Sequence, residues 1–492
     1  MGQSLSRLIL SDGDVPAGAA SACVVGMTAD SREVAPGFLF AALPGTKVDG
    51  VQYLSAAKSK GAIAAIAPLD TPDFPGLALV RTENPRRLLA LAASRYFDAQ
   101  PDTIVAVTGT NGKTSVTVFV RQIWAEMGFR AASLGTIGIV GPEGSVKLEH
   151  TTPDPVKLHQ AIAALADDHV QHLAVEASSH GLVQNRLDGL RIAAGAFTNF
   201  TRDHLDYHKT LKDYFDAKMG LFEILLKPGS PVVVNADIPE AAEIIRRCVA
   251  KGLATYTVGV DGKNIRIVSA TQTENGQLLT LEMVDGTYEV PLPLVGDFQA
   301  SNAVVAAGLV LATGGEPSLV RHALASLKGA TGRLELVGTK GNGARIYVDY
   351  AHTPDAIETA LRALRPSMTG RLHVVFGCGG DRDKGKRPLM AKAAAANADV
   401  IYVTDDNPRT EDAAVIRREV LTGAPKAIEI GNRAEAISAA VSKLDAGDVL
   451  LVAGKGHELG QIIDQETKPF SDHDAVKSAL AGKLYQIGRA HV

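Results

Sequence analysis

The chain has 492 residues, 46% of them hydrophobic and 21% charged, with a formal net charge of -4. That length gives about three domains at roughly 100–200 residues each, and the modest charge argues against a nucleic-acid or membrane-surface partner. The 3 cysteines are far apart in sequence and show no CxxC spacing, which argues against a disulfide framework and a structural zinc site.

The opening stretch "MGQSLSRLILSDGDVP" has no apolar run long enough for a signal peptide, and nothing later reaches the apolar length of a membrane span. The expectation is a soluble cytoplasmic protein. Residues 1–98 mix short apolar runs ("GFLFAAL", "AIAAIAP", "LALVR") with helical stretches such as "NPRRLLALAASRYF", a small α/β unit. "DAQPD" then reads as a linker. Residues 99–331 open with "TIVAVTGTNGKTSVTVFVRQIWAEMGF", a β-branched strand, a Gly-rich turn and a helix that closes at Gly128. Strand-like runs "HLAVEAS", "AAGAFTNF" and "PVVVNAD" follow, and 252–295 alternates as an antiparallel appendage would. Residues 332–492 carry "RIYVDYA", "RLHVVFG", "DVIYVTD" and "DVLLVAG", each followed by a turn and a helical pattern. That predicts a doubly wound parallel sheet with ligands beyond the strands' carboxyl ends. The fold class is therefore α/β in three domains, with a central phosphate-loop domain and a C-terminal Rossmann-like one.

The loop Gly109, Thr110, Asn111, Gly112, Lys113, Thr114, Ser115 follows a strand and opens a helix. There, backbone N–H groups and the helix N-terminus favour phosphate. Lys113 would reach the β- and γ-phosphates and the Thr114 hydroxyl would ligate Mg²⁺. Val107 stands where the usual motif has its first glycine. Glu176, ending a strand, is placed to share the metal, with Ser178 and His180 in the turn after it. "TNFTRDHLDYH" gathers His204, His208, Asp203 and Asp206, and Lys218 follows in "YFDAKMGLF". Taken alone, "TDDNPRTED" is a strand end, a turn and a helix that Thr410 would cap.

Together, in order, "GTNGKTS", "EASSHGL", "TNFTRDHLDYHKT", "YFDAK", "VDYAHTPDA", "FGCGGDRDKGKRPLM", "DNPRTED" and "AGKGHE" resemble the Mur ligase family over nearly the whole chain. The resemblance implies an ATP-dependent ligase that adds meso-2,6-diaminopimelate to UDP-N-acetylmuramoyl-L-alanyl-D-glutamate through an acyl phosphate. It implies that Ala29, Ser31, Thr46, Lys47, Val48, Thr151, Thr152, Ser178, Gln184 and Arg186 hold the UDP-substrate. Lys218 would become a carbamate by taking up CO₂ and share a second Mg²⁺ with Glu176 and His204, while His180 sits close to the reacting groups. Asn302, Arg333 and Asp349 would contact ATP. In the relatives' "GxFN" pattern this chain has "GDFQASN", so Gln299 stands in the asparagine position and is left out of the site.

For the amino acid, the resemblance implies Arg382, Asp406, Asn407, Pro408, Arg409, Gly454 and Glu458. Diaminopimelate carries a distal carboxylate that lysine lacks, and the planar fork of Arg409 suits it. With lysine bound, that guanidinium would be left unpaired, at about 1–3 kcal/mol. The expected partners are small-molecule substrates, with no nucleic acid, no membrane insertion and a monomeric chain. The alternatives are a lysine-adding member, a folylpolyglutamate-type ligase, a phosphate-loop switch or motor, and a catalytically silent binding protein. A silent protein would be expected to have lost Lys113, Glu176 or Lys218.

Overall fold

The computed structural model describes residues 2–485 except 46–48, 149, 205–206 and 274–275. It separates into two compact units: one of residues up to Val258 with Val305–Val320, the other of Gly259–Val304 with the residues from Arg321 onward.

In the first unit, Gly26–Thr28, Phe38–Ala41, Ala64–Pro68 and Ala78–Thr82 pair as a parallel sheet. Alternate residues of these strands feed two apolar clusters, as the both-face burial of a parallel sheet requires. The helix Pro85–Phe97 begins with Asn84, whose side chain accepts from the Arg87 amide, and with proline at its first position.

The central sheet of the same unit places Thr103–Thr108 between His172–Glu176 and Ile192–Phe197, all parallel. Ala131–Gly135 extends it on one side, Pro231–Asn235 and Ala254–Gly259 on the other. Register sets Glu176 opposite Val107 and Phe197 opposite Thr108. The turn that leaves the central strand is thus flanked by the ends of both neighbours, the topological switch point where open α/β sheets bind ligands. The hairpin Gly138–Gly141 with Gly144–Val146 has no counterpart in the sequence reading.

In the second unit, Ile265–Thr273, Gly276–Met283 and Gly286–Leu292 form the antiparallel appendage expected from their alternation. The four predicted C-terminal strands are Arg345–Asp349, Leu372–Phe376, Val400–Val403 and Val449–Ala453, joined in parallel with Val449–Ala453 between the first two. Glu335–Thr339 adds an antiparallel edge. Helices cover both faces over separate apolar clusters. The helix after "TDDNPRTED" is capped by Asp412, which accepts from the Ala414 amide, and the Thr410 hydroxyl instead donates to Asp381 at 2.9 Å. A carboxylate two residues before the free amide outcompetes the hydroxyl, which finds an exposed acid on another loop.

Candidate active site

The Gly-rich turn leaves the central strand at Gly109, whose φ is 140°. A Cβ there would overlap the Thr198 hydroxyl, so only glycine fits. Gly112, at φ 84°, leads into the helix Lys113–Glu126. The turn is fastened to the end of the neighbouring strand. Thr110 N–H donates to Asn199 O at 2.9 Å, Asn111 N–H to Asn199 Oδ1 at 2.8 Å, and the Thr198 hydroxyl to Asn111 O at 2.6 Å. Lys113 folds over its own loop, donating to Gly109 O at 2.9 Å and Thr110 O at 2.7 Å. Thr114 and Ser115 are buried in the first helical turn. The arrangement is an anion cradle: backbone amides, a helix N-terminus and one lysine.

Lys218 lies on the helix Leu211–Gly220, just before a π-turn at Leu221–Leu225. Its side chain is 1% exposed. Nζ donates to Gly109 O at 2.7 Å and sits 4.2 Å from the Tyr214 ring centroid, while the Tyr214 hydroxyl reaches Thr110 Oγ1 at 3.4 Å. Among the described residues no carboxylate pairs with it. Burial, with Lys113 nearby, pushes its ammonium well below the ordinary lysine range.

Glu176 is 1% exposed and accepts from the Thr136 amide at 2.8 Å and the Thr136 hydroxyl at 3.0 Å. Thr136 in turn meets the Thr151 hydroxyl at 3.1 Å. The Thr152 hydroxyl lies 2.9 Å from that of Ser178, and Arg186 donates to Thr152 O and, at 2.7 Å, to Gln184 Oε1. Thr151, Thr152, Ser178, Gln184 and Arg186 therefore form one continuous wall beside the loop. His180 packs against Tyr207 at 4.0 Å and His204 at 5.1 Å between ring centroids, and His208 donates to or accepts from the Ser179 hydroxyl at 3.0 Å. His204 adopts φ 52°.

Ala29 and Ser31 flank Asp30, which Arg32 grips at 2.9 Å and holds down to about 2; Lys60 donates to Ser31 O at 3.0 Å. Thr46, Lys47, Val48 and Asp206 lie outside the described residues.

Among the described residues no three His, Cys, Asp or Glu converge as a preformed metal site. The donors at the loop are nonetheless those a hard cation takes: the Glu176 carboxylate, which has no cationic partner among the described residues, and the Thr114 hydroxyl. They fit a Mg²⁺ whose remaining ligands come with the nucleotide, not a cage built wholly of protein.

In the second unit, Asp349 accepts from the Ala351 amide at 2.7 Å and from the Leu334 amide at 2.5 Å. Burial pushes its carboxyl up to about 6, against the pull of Arg333. The Arg333 guanidinium lies 4.5 Å from the Tyr350 ring centroid. Gln299, set aside on sequence, donates to Arg333 O at 3.2 Å and accepts from Asn302 at 3.3 Å, so it ties the two together.

Where two strands of that sheet end, Arg409 takes φ 52° and donates from Nη1 to Gly380 O at 2.8 Å. It makes no ion pair among the described residues. Gly379 passes so close that a Cβ would lie 2.9 Å from Nη1. Beside it, Asp406, Asn407 and Pro408 are buried, and a Cβ on Gly454 would stand 2.8 Å from Asp406 Oδ2. Asn407 Nδ2 donates to Glu458 Oε2 at 3.0 Å. Lys455 is fully buried between Asn407 Oδ1 and Glu458 Oε2, 2.9 Å from each. Arg382 is exposed, its Nη1 donating to Asp381 O at 3.3 Å. Sequence reasoning passed over Thr136 and Lys455 and set Gln299 aside; the available signals were the lysine between two glycines of "AGKGHE" and the glutamine in the asparagine position of "GDFQASN".

A glycine-rich anion loop at the switch point of a parallel sheet, followed by a second doubly wound sheet, defines a phosphate-loop α/β protein. Family models match three stretches: "Mur ligase family, catalytic domain" over 24–94, "Mur ligase middle domain" over 107–310 and "Mur ligase, glutamate ligase domain" over 332–456. A UDP-N-acetylmuramoyl-L-alanyl-D-glutamate--2,6-diaminopimelate ligase of Rhizobium meliloti (strain 1021) is 52% identical over 464 residues, 94% of this chain and 96% of its own length. A solved structure of an enzyme with that same name is 31% identical, with a TM-score of 0.72, covering 98% of this chain and 99% of the other. A MurF ligase of Thermotoga maritima in complex with ADP shares the fold at 18% identity and a TM-score of 0.62, over 93% of this chain and 97% of its own. The chain belongs to the Mur ligase family. No described helix is long and apolar enough to cross a membrane.

Proposed function

We propose that this chain is an ATP-dependent amide ligase that joins meso-2,6-diaminopimelate to UDP-N-acetylmuramoyl-L-alanyl-D-glutamate in peptidoglycan precursor synthesis. It acts as a cytoplasmic monomer with domains at 1–98, 99–331 and 332–492. The observation that carries the substrate reading is Arg409, a half-buried guanidinium with no ion-pair partner among the described residues. Leaving such a group unpaired is unfavourable unless a ligand supplies the anion. The distal carboxylate of diaminopimelate does so in the bidentate geometry that arginine favours.

The reaction begins when the terminal carboxylate of D-glutamate attacks the γ-phosphoryl group, forming an acyl phosphate and releasing ADP. Two anions must approach, and the chain lowers that barrier by placement and charge. Lys113 exchanges its contacts with Gly109 O and Thr110 O for phosphate oxygens, and the loop amides hold the triphosphate in line. Thr114 would hold one Mg²⁺, and Glu176, His204 and a carbamate on Lys218 would hold a second; when bound, these ions would supply further neutralisation of phosphate charge. Depressed basicity leaves Lys218 a fraction of neutral amine, the form that adds to CO₂ with loss of a proton. The wall of Thr151, Thr152, Ser178, Gln184 and Arg186, with Ala29, Ser31 and the stretch 46–48, orients the UDP-substrate; His180 lies beside the reacting carboxylate. Asn302, Arg333 and Asp349 contact the nucleotide. The amine of diaminopimelate then attacks the acyl carbon, and phosphate leaves through a tetrahedral intermediate. Arg382, Asp406, Asn407, Pro408, Arg409, Gly454 and Glu458 hold the amino acid.

Phosphate release tests this directly. It is expected only when ATP, the UDP-dipeptide and diaminopimelate are all present; equal release with lysine, or without any amine, would contradict the reading.

A further inference from the structure

The buried Lys455 is not needed by the mechanism above, yet it is packed into the amino-acid pocket. Its Nζ donates to Asn407 Oδ1 and Glu458 Oε2, each at 2.9 Å, and lies 3.6 Å from Asp406 Oδ1. Asn407 Oδ1 also accepts from the Ile462 amide at 2.9 Å. An amide oxygen has two lone pairs, and both are thereby used. One N–H of Asn407 goes to Glu458 at 3.0 Å. Only an N–H remains, so toward a ligand this asparagine is a donor and never an acceptor. Flipping the amide would set an NH₂ against both the Lys455 ammonium and the Ile462 amide.

Charge leads to the same place. The acids Asp406, Glu458 and Asp381 and the base Arg382 bear on Arg409, and Lys455 faces two of those acids. Counting Arg409, three carboxylates balance three cations. The distal end of diaminopimelate, an ammonium and a carboxylate, is likewise neutral, whereas the end of lysine is a bare cation. Removing Lys455 leaves the pocket with one excess negative charge and takes away one of the two donors that hold the Asn407 amide oxygen, leaving only the Ile462 amide.

We propose that Lys455 is a positioning residue for substrate choice: by locking the Asn407 amide donor-outward and balancing Glu458 and Asp406, it makes the pocket accept a carboxylate-bearing end over a cationic one. This rests on the substrate reading given above. The test is kcat/KM for meso-diaminopimelate and for L-lysine in the wild-type, Lys455→Gln and Lys455→Arg enzymes, with KM for ATP alongside. In Lys455→Gln the preference for diaminopimelate over lysine should shrink by about tenfold or more, as expected when polar discrimination is lost, with KM for ATP unchanged. Lys455→Arg, which keeps the cation, should hold the preference. Parallel loss of both amines with an unchanged ratio in Lys455→Gln overturns the proposal. If that variant does not fold, a folded Lys455→Arg that loses the preference does so instead. A wild-type enzyme indifferent to the two amines would instead refute the substrate reading itself.

Discussion

Two lysines of this chain are buried to the same degree and meet opposite surroundings. Lys218, beside the phosphate loop, faces a carbonyl oxygen, the face of Tyr214 and another lysine. Lys455, in the C-terminal sheet, is enclosed by Asp406, Asn407 and Glu458. An ammonium taken from water without a counter-ion is destabilised, and it gives up its proton well below the ordinary lysine range. One enclosed by carboxylates is a fixed charge that organises its neighbours. Burial alone therefore decides nothing about a lysine; its company decides whether it is a reactive amine or a structural cation.

The contrast can be broken most severely at Lys218. Lys218→Ala should abolish ligation, a loss of about 10³-fold or more given that charge neutralisation at phosphate is the main catalytic contribution. Short carboxylates such as acetate should restore part of it, read as phosphate release; complete inactivity that no carboxylate relieves would favour a structural role. Next comes Arg409→Ala, expected to cut kcat/KM for diaminopimelate by about 10²- to 10⁴-fold while KM for ATP stays level. An equal loss for ATP would mean that the pocket is not separable from the rest.

Gly109→Ala sharpens the loop side. Its φ of 140° and the overlap with Thr198 should cost about 2–4 kcal/mol in unfolding free energy, measurable by urea denaturation, and weaken nucleotide binding as Gly109 O moves away from both lysines. The smallest effect is expected at Asp349. Its carboxyl lies up at about 6 against a normal 3.8, so protonation favours the folded chain. That contribution is full below about pH 4 and is lost as pH rises through about 6. Asp349→Asn should flatten this part of the melting-temperature profile, and superimposable wild-type and variant profiles would refute the assignment.

Much of this was legible locally. "TIVAVTGTNGKTS" announces strand, turn and helix because β-branched residues, glycines and a helix start follow one another without tertiary help. The alternation of 252–295 likewise anticipated the antiparallel strands from Ile265 to Leu292, but it wrongly took in Ala254–Gly259, which pairs in parallel with Pro231–Asn235. What stayed hidden depends on residues distant in sequence. Gln299 looked like a departure from a pattern, and only the fold brings Arg333 O and Asn302 to its two ends. Lys455 gained meaning only when Asn407, 48 positions earlier, came within 2.9 Å. The left-handed backbone of Arg409 is not written in its side chain; Ile462 O accepts its amide at 3.1 Å and its carbonyl accepts from Asp464 at 2.8 Å, which together impose that conformation. The Thr410 cap failed for a related reason, since Asp381 claims that hydroxyl from a separate loop.

The glycines at 377 and 380 run so close to the backbone of Thr404 and of Pro408 that neither has room for even a methyl group, while Gly379 is faced by the end of the Arg409 side chain. The floor of that pocket is consequently closed to gradual evolutionary drift. A descendant that came to prefer another amino acid would have to exchange the polar groups standing above the floor in a few abrupt replacements, with no series of small reshapings leading there.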